Sequence, residues 1–340
     1  MSYIYSNIKM RKGIIIVGYL LICCCITLSA CTSNKQKDQD QQQKTSQKMS
    51  QQDSLELTID EDLAIPMPKV PKNISDPREK ANYIINHFWD QLNFNDTTYL
   101  KTPDKMEASF ANFIALALCF PVEDEIPALL LPLENSNDKM LHFFLEMYKK
   151  YLYDPNSPMR NESFYIPIAE WASKSAKVDY AMQERMKSIA NLAKKNQVGD
   201  KAINFAFQRT DGALTTLYAV KGMYTILMFY TPGCHTCEMT IDQIKRLPAL
   251  KALDKNQKVR LVCIYAEPDI ETWEKYESNI PEYAVNGIDK DGTILSDELY
   301  DLKASPTLYL LDKDKKVILK DAGLQEILPY LEEKLEVRIK

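Results

Sequence analysis

Clusters of positive charge are missing outside one short stretch. Lys and Arg number 42 against 47 Asp and Glu, a formal net charge of −5. No basic tract stands out beyond Lys12, so nothing in the balance implies a nucleic-acid partner. Long apolar runs are also missing. "GIIIVGYLLICCCIT" (Gly13 to Thr27) falls short of the roughly 20 residues of a confident membrane span. Cysteine is too sparse for a disulfide scaffold. Of eight cysteines, Cys23, Cys24 and Cys25 sit in that apolar run as filler, leaving Cys31, Cys119, Cys234, Cys237 and Cys263. The C-x-x-C spacing occurs once, so no second pair completes the four ligands of a structural zinc site. Haem attachment needs His directly after C-x-x-C, and residue 238 is Glu. No metal ligand set and no cofactor are expected. His87 and His142 stand alone beside Phe88 and Phe143 and read as packed or surface side chains. There is no clean internal repeat.

What is present begins with Lys9, Arg11 and Lys12, then the apolar run, then "LSAC" (Leu28 to Cys31). Positive charge, apolar core and a small-residue site, in that order, form a targeting segment. The ending resembles the lipobox of bacterial lipoproteins. The resemblance implies removal of residues 1–30 and a lipid on Cys31, placing the chain outside the cytoplasm, anchored to the cell envelope. An uncleaved signal anchor with an incidental Cys31 is the alternative. Residues 32–54 are almost wholly polar and rich in Gln and Lys, which leaves too little apolar surface to offset chain entropy. With Pro66, Pro68, Pro71 and Pro77 stiffening the exit, 31–75 reads as a disordered tether spanning about 35 Å.

From Asp76 the apolar period is helical. Ala81, Ile84, Ile85, Phe88 and Leu92 make one stripe, and Ser75–Asp76 before Pro77 is a helix start. Asp104 with Glu107 three residues on predicts a capping box. "NDKMLHFFLEMYKKYLY" and "YAMQERMKSIANLAKKN" also read as helices, with Pro155 and Pro158 marking a loop. Residues 76–196 are expected to be an all-helical domain of unknown function. Trp89 and Trp171 read as core braces, and Cys119 as a buried small hydrophobe. The aromatic stretch "YLYDPNSPMRNESFYIPIAEW" reads as core and loop packing rather than a partner groove.

After Val198 the pattern changes. "INFAFQRTDGALTTL" alternates about an Asp211–Gly212 hairpin turn. "YTILMFY" (Tyr224 to Tyr230) and "VRLVCIYA" are buried strands, and Cys263 in the second reads as core. Met239, Ile241, Ile244 and Leu247 can form a helix face. "SPTLYLLDKDKKVILKDAG" reads as a strand pair, and "LQEILPYLEEKLEV" as a last helix. The order β–β–β–α–β–α–β–β–α predicts an α/β fold with a mixed central sheet and flanking helices.

A helix that begins at Cys234 aims unpaired N–H groups and its positive end at that sulfur. This lowers the thiol pKa and makes Cys234 the nucleophile. Cys237, nearly one turn on, is within reach to close a disulfide. A buried strand, C-x-x-C opening a helix, and Ser-Pro-Thr before an antiparallel pair together resemble the thioredoxin-like family. The opening "VGDKAINFAFQRTDG" resembles its membrane-tethered, extracytoplasmic branch. The resemblance covers residues 197–340. A helical domain of unknown function ahead of such a domain also resembles a layout of bacterial lipoproteins. The family implies thiol–disulfide exchange with protein disulfide or dithiol substrates, and an upstream redox partner. It further implies a cis bond before Pro306, with Ser305 and Pro306 forming a substrate-binding edge. His235, between the cysteines, would favour the thiolate if protonated, and is otherwise an exposed filler.

The match has departures. Gly233 stands where many members have Trp, Thr236 where many have Pro, and Met228 where thioredoxin has a buried acid, so that acid's proton relay is not supplied there. Glu238 and Glu267 read as solvated. Pro232 and Thr236 have the spacing of a peroxidase motif, but residue 239 is Met. The non-enzyme alternative is a tethered binding or scaffold lipoprotein whose C-x-x-C is a static staple. An exposed Cys234 separates exchange from the staple.

Overall fold

The computed structural model describes residues 63–119 and 125–339. The expected signal segment, the lipidation site Cys31 and the tether up to residue 62 lie outside the described residues. None of the described helices is long and apolar enough to cross a membrane. The chain divides into two compact units, one running to Trp171 with Ser175–Lys177, the other comprising Ala172–Lys174 and Val178–Lys340.

The first unit is helical: α1 (Pro77–His87), α2 (Pro103–Cys119), α3 (Glu125–Asn135), α4 (Asp138–Tyr148) and all but the last three residues of α5 (Glu162–Lys174). Asp76 caps α1, its Oδ1 accepting from the amides of Arg78 and Glu79 at 2.9 and 3.0 Å, with Pro77 at the first position as its fixed φ favours. Ala81, Ile85, Phe88 and Leu92 of the expected stripe are buried. The capping box at Asp104 does not form. Pro103 opens α2, and the Thr102 carbonyl accepts from Lys105 and Met106. Glu107 instead pairs with Lys150 at 2.5 Å and accepts from the Tyr151 hydroxyl at 2.8 Å. Trp89 braces the core, its indole N–H donating to the Ala128 carbonyl at 3.2 Å and its ring lying 4.7 Å from Phe113. The aromatic stretch after Tyr151 holds α5, capped by Asn161. Cys119 is exposed at the end of α2 rather than buried. His87 is a surface residue paired with Asp90 at 2.7 Å.

The second unit opens with α6 (Tyr180–Ala193) and then carries strands β1 (Ala206–Arg209), β2 (Leu214–Thr216), β3 (Tyr224–Tyr230), β4 (Val259–Tyr265), β5 (Val285–Ile288), β6 (Thr307–Leu311) and β7 (Val317–Lys320). Between and after them lie α7 (His235–Lys245), α8 (Pro248–Lys255), α9 (Ile270–Tyr276), the single turn α10 (Thr293–Ser296) and α11 (Leu324–Leu335). The strands form one sheet in the order β2-β1-β5-β4-β3-β6-β7. β3 runs parallel to β4 and antiparallel to β6, so it is a central strand beside the middle strand β4, buried on both faces. The expected hairpin forms, with Gly212 at φ +80° supplying its turn. β5 is absent from the strand order read from the sequence; "VNGI" is short and carries no alternation.

Side chains alternate across β3 as strand geometry requires. Ile226, Met228 and Tyr230 pack on one face with Cys237, Ile241 and Ile244 of α7, Trp273 of α9 and Leu328 of α11. Leu227 and Phe229 pack on the other with Phe205, Phe207, Tyr300 and Tyr309. Burying each such side chain contributes about 1.5–3 kcal/mol. The buried face of α7 is therefore Cys237–Ile241–Ile244, at i, i+4 and i+7. Met239, expected on that face, is 60% exposed.

Candidate active site

The site is built where the central strand ends. After Tyr230 the chain turns through Thr231, Pro232 and Gly233, with Gly233 at φ +76°, a region glycine enters without strain. The Cys234 amide closes that turn on the Thr231 carbonyl at 3.2 Å. Cys234 then takes the N-cap position of α7 in an extended conformation, and its carbonyl accepts from Glu238 at 3.0 Å. Cys237, in the first turn, is buried in the core cluster that also holds Met228 and Cys263. The four thiols of the described residues are not joined in disulfides.

Across the site lies the loop that follows Tyr300. Its Ser305–Pro306 peptide is cis, as expected. Ser305 touches both sulfurs. Its carbonyl lies 3.4 Å from Cys234 Sγ, and its Oγ lies 3.1 Å from Cys237 Sγ. The Ser305 hydroxyl also donates to Thr231 Oγ1 at 2.9 Å. Lys303, in the same loop, bonds Asp301 at 2.6 Å and reaches Asp321, just past β7, at 3.3 Å. This largely buried triad ties the loop to the sheet. The sequence pattern shows none of Thr231, Lys303, Asp301 or Asp321, because Thr231 and Asp321 meet partners remote in the chain and an Asp two residues before a Lys carries no pattern of its own.

The two thiols are driven apart electrostatically. Burial pushes Cys234 up, but the Cys237 amide and thiol, the Thr236 amide and the Ser305 hydroxyl together outweigh it and hold Cys234 below the ordinary thiol range. Burial pushes Cys237 up to about 11; hydrogen bonds from Ser305 and Thr231 oppose this only in part, and Cys234 adds to the rise. Tyr276, pushed up to about 12 by burial and then by Glu238 and both cysteines, lines the same neighbourhood. A partly exposed, ionisable sulfur backed by a buried protonated one is the arrangement that thiol–disulfide exchange uses.

Cys234, Cys237, Ser305 and Pro306 are thus brought together. His235 is exposed on the first turn of α7 and makes no hydrogen bond to either sulfur. Glu238 and Glu267 are exposed, as read from the sequence, although Glu267 accepts from the Tyr265 hydroxyl at 3.3 Å. Among the described residues no group of three His, Cys, Asp or Glu side chains is placed to hold a metal ion.

A mixed sheet with a C-x-x-C at the end of its central strand and a cis-proline loop opposite is a thioredoxin-like fold. Comparison with known proteins agrees. Residues 198–320 match the AhpC/TSA family, and residues 30–196 match a domain of unknown function, DUF5106. The thiol–disulfide oxidoreductase ResA of Bacillus cereus is 31% identical over 134 residues, 38% of this chain and 73% of ResA. ResA of Bacillus anthracis is 30% identical over the same shares. The crystal structure of a thioredoxin-like protein from Bacteroides caccae is 37% identical, with a TM-score of 0.75, covering 79% of this chain and 98% of that one. The chain belongs to the thioredoxin-like thiol–disulfide oxidoreductases.

Proposed function

We propose that this chain is a lipid-anchored, extracytoplasmic enzyme that exchanges disulfides with partner proteins through Cys234 and Cys237. The observation that carries the exchange is the asymmetry of the pair: Cys234 is partly exposed and shifted toward thiolate, while Cys237 is buried and held as thiol. The Cys234 thiolate attacks one sulfur of a partner disulfide, that S–S bond breaks, and the other partner sulfur leaves as thiolate. Cys237 then loses its proton and attacks Cys234 Sγ. The mixed disulfide breaks, the partner's second sulfur leaves, and Cys234–Cys237 closes as a disulfide. Two electrons pass from this chain to the partner, and an upstream redox partner must restore them. Run in reverse, the pair oxidises dithiols; reduction is the direction favoured here.

Ser305 and Pro306 form the edge against which an extended substrate segment aligns by main-chain hydrogen bonds, with His235 on the exposed flank of the cysteines. Residues 1–30 act as the lipoprotein signal, Cys31 carries the lipid, and 31–75 hold the folded part clear of the bilayer. The helical domain, 76–196, receives no chemistry. The partial exposure of Cys234 weighs against the static-staple alternative.

The test is Cys237→Ser in the native host. Mixed disulfides with partner proteins should accumulate on Cys234 and be identifiable by mass spectrometry. Absence of any trapped partner, with Cys234 inert to alkylation at neutral pH, would return the chain to the scaffold reading. For the anchor, Cys31→Ser should move the protein from the membrane to the soluble fraction; unchanged partition removes the lipid assignment.

A further inference from the structure

Resolution of the mixed disulfide needs Cys237 to lose a proton, and among the described residues no carboxylate makes a hydrogen bond to its sulfur. Met228, where thioredoxin carries a buried acid, is itself fully buried in the cluster that holds Cys237. What does touch the Cys237 sulfur is a hydroxyl. Ser305 Oγ stands 3.1 Å from it, and the Ser305 hydroxyl donates onward to Thr231 Oγ1 at 2.9 Å. Either atom of the Ser305–Cys237 contact can donate, so when the Ser305 hydrogen is turned to Thr231 the lone pairs of Ser305 Oγ accept from the Cys237 thiol. Thr231 is partly exposed at the strand end, and among the described residues its hydroxyl has no protein acceptor for its own proton. A continuous line of donors therefore runs from a buried thiol to solvent.

We propose that Ser305 and Thr231 form a two-hydroxyl proton relay that deprotonates Cys237 in the step resolving the mixed disulfide. The relay rests on the exchange chemistry proposed above. As Cys237 Sγ closes on Cys234 Sγ, its proton passes to Ser305 Oγ, the Ser305 proton passes to Thr231 Oγ1, and the Thr231 proton passes to water. The departing partner sulfur leaves as thiolate, so charge and protons balance without a further reagent. Both hydroxyls end as hydroxyls, with the Ser305 hydrogen now facing the Cys237 sulfur. The same line run backwards returns the proton when the active-site disulfide is reduced. Ser305 touches the reacting sulfur and is the catalytic member; Thr231 acts through it.

Thr231→Val keeps the branched shape and removes the hydroxyl. The reduced full chain, with Cys23, Cys24, Cys25, Cys31 and Cys119 replaced by Ser so that they release no chromophore, is mixed with 5,5′-dithiobis(2-nitrobenzoate) at pH 7 in a stopped-flow instrument. The first release of thionitrobenzoate reports attack by Cys234, and the second reports resolution by Cys237. Positioned proton transfer typically contributes about 10²–10⁴-fold. The variant should show a second phase slowed at least about tenfold, an unchanged first phase, and recovery in Thr231→Ser. A second phase at the wild-type rate overturns the relay. So does equal slowing of both phases, which marks a general lesion at the strand end. A wild-type chain with no first phase instead overturns the exchange reading itself, so the two failures are distinct.

Discussion

Cys234 and Cys237 stand at the head of one helix with their thiols shifted in opposite directions, Cys234 downward and Cys237 up to about 11. The cause is their depth. Cys234 sits at the cap, where the amides of Thr236 and Cys237 face its sulfur, and Cys237 lies in the core where desolvation disfavours charge. A thiol with a lowered pKa is ionised at lower pH, so a brief iodoacetamide pulse at pH 8 should label Cys234 and leave Cys237 unmodified. Labelling of Cys237 should begin only as the pH approaches 11. Peptide mass spectrometry across a pH series reads both, and equal labelling at pH 8 would remove the asymmetry on which the nucleophile assignment depends.

Cys263 should take no part. It is fully buried on β4, paired in register with Met228, and burial followed by the charge of Asp254 pushes its thiol up to about 12. Cys263→Ala should leave both exchange phases within about twofold of wild type while lowering stability by about 1 kcal/mol, the ordinary size of a small core truncation. The phases are read by stopped flow and the stability by urea unfolding. A lost or slowed second phase would mean that Cys263 shuttles a disulfide.

The contrast between these cysteines explains what is legible in the sequence. The C-x-x-C and the strand before it are local patterns, and both emerge as expected. Ser305 and Pro306 come through the family resemblance, since nothing local ties them to sulfurs about 70 positions away. Thr231 carries no signal because a threonine beside a turn has no pattern; its use depends on Ser305, which lies 74 residues on. The error at Met239 is one of phase. An apolar residue within reach of the stripe reads as part of it, whereas Cys237 in fact leads the buried face. Thr102 rather than Asp104 ends up flanking α2 because Pro103 fits the first helical position.

The Asp301–Lys303–Asp321 triad offers a test of how firmly the Ser305 loop must be held. Side-chain exposures of 2%, 12% and 8% place these charges largely out of water. Removing one partner of such a group leaves uncompensated charge, at a cost of about 3–5 kcal/mol. Lys303→Met should therefore lower the unfolding free energy read from urea denaturation by that order, since the cation that bonds Asp301 and reaches Asp321 is gone. Lys303→Arg should recover part of the loss, since it restores the charge with a different shape. A loss below about 1 kcal/mol in the Met variant would show the triad to be solvated and the loop fixed by other contacts.

Gly287 explains why β5 is invisible to sequence reading and supplies the sharpest packing test. A Cβ built at this position would meet Phe207 Cδ2 at 2.3 Å, Phe207 Cε2 at 2.9 Å and Ile264 Cδ1 at 3.1 Å. The glycine is thus set by a ring on the neighbouring strand β1, not by any local propensity. Phe207 has little room to yield, being fully enclosed beside Phe205 with ring centroids 5.9 Å apart. Gly287→Ala should destabilise the fold by about 1–3 kcal/mol, as overpacking does. Phe207→Ala alone should also destabilise, by emptying the space the ring fills. If the clash is the cause, the two changes together should cost less than their sum by more than about 1 kcal/mol, because the added methyl then occupies vacated space. Urea unfolding of the four proteins gives this coupling directly. Strict additivity would locate the need for glycine in the backbone of β5 instead, and the ring of Phe207 would be a bystander.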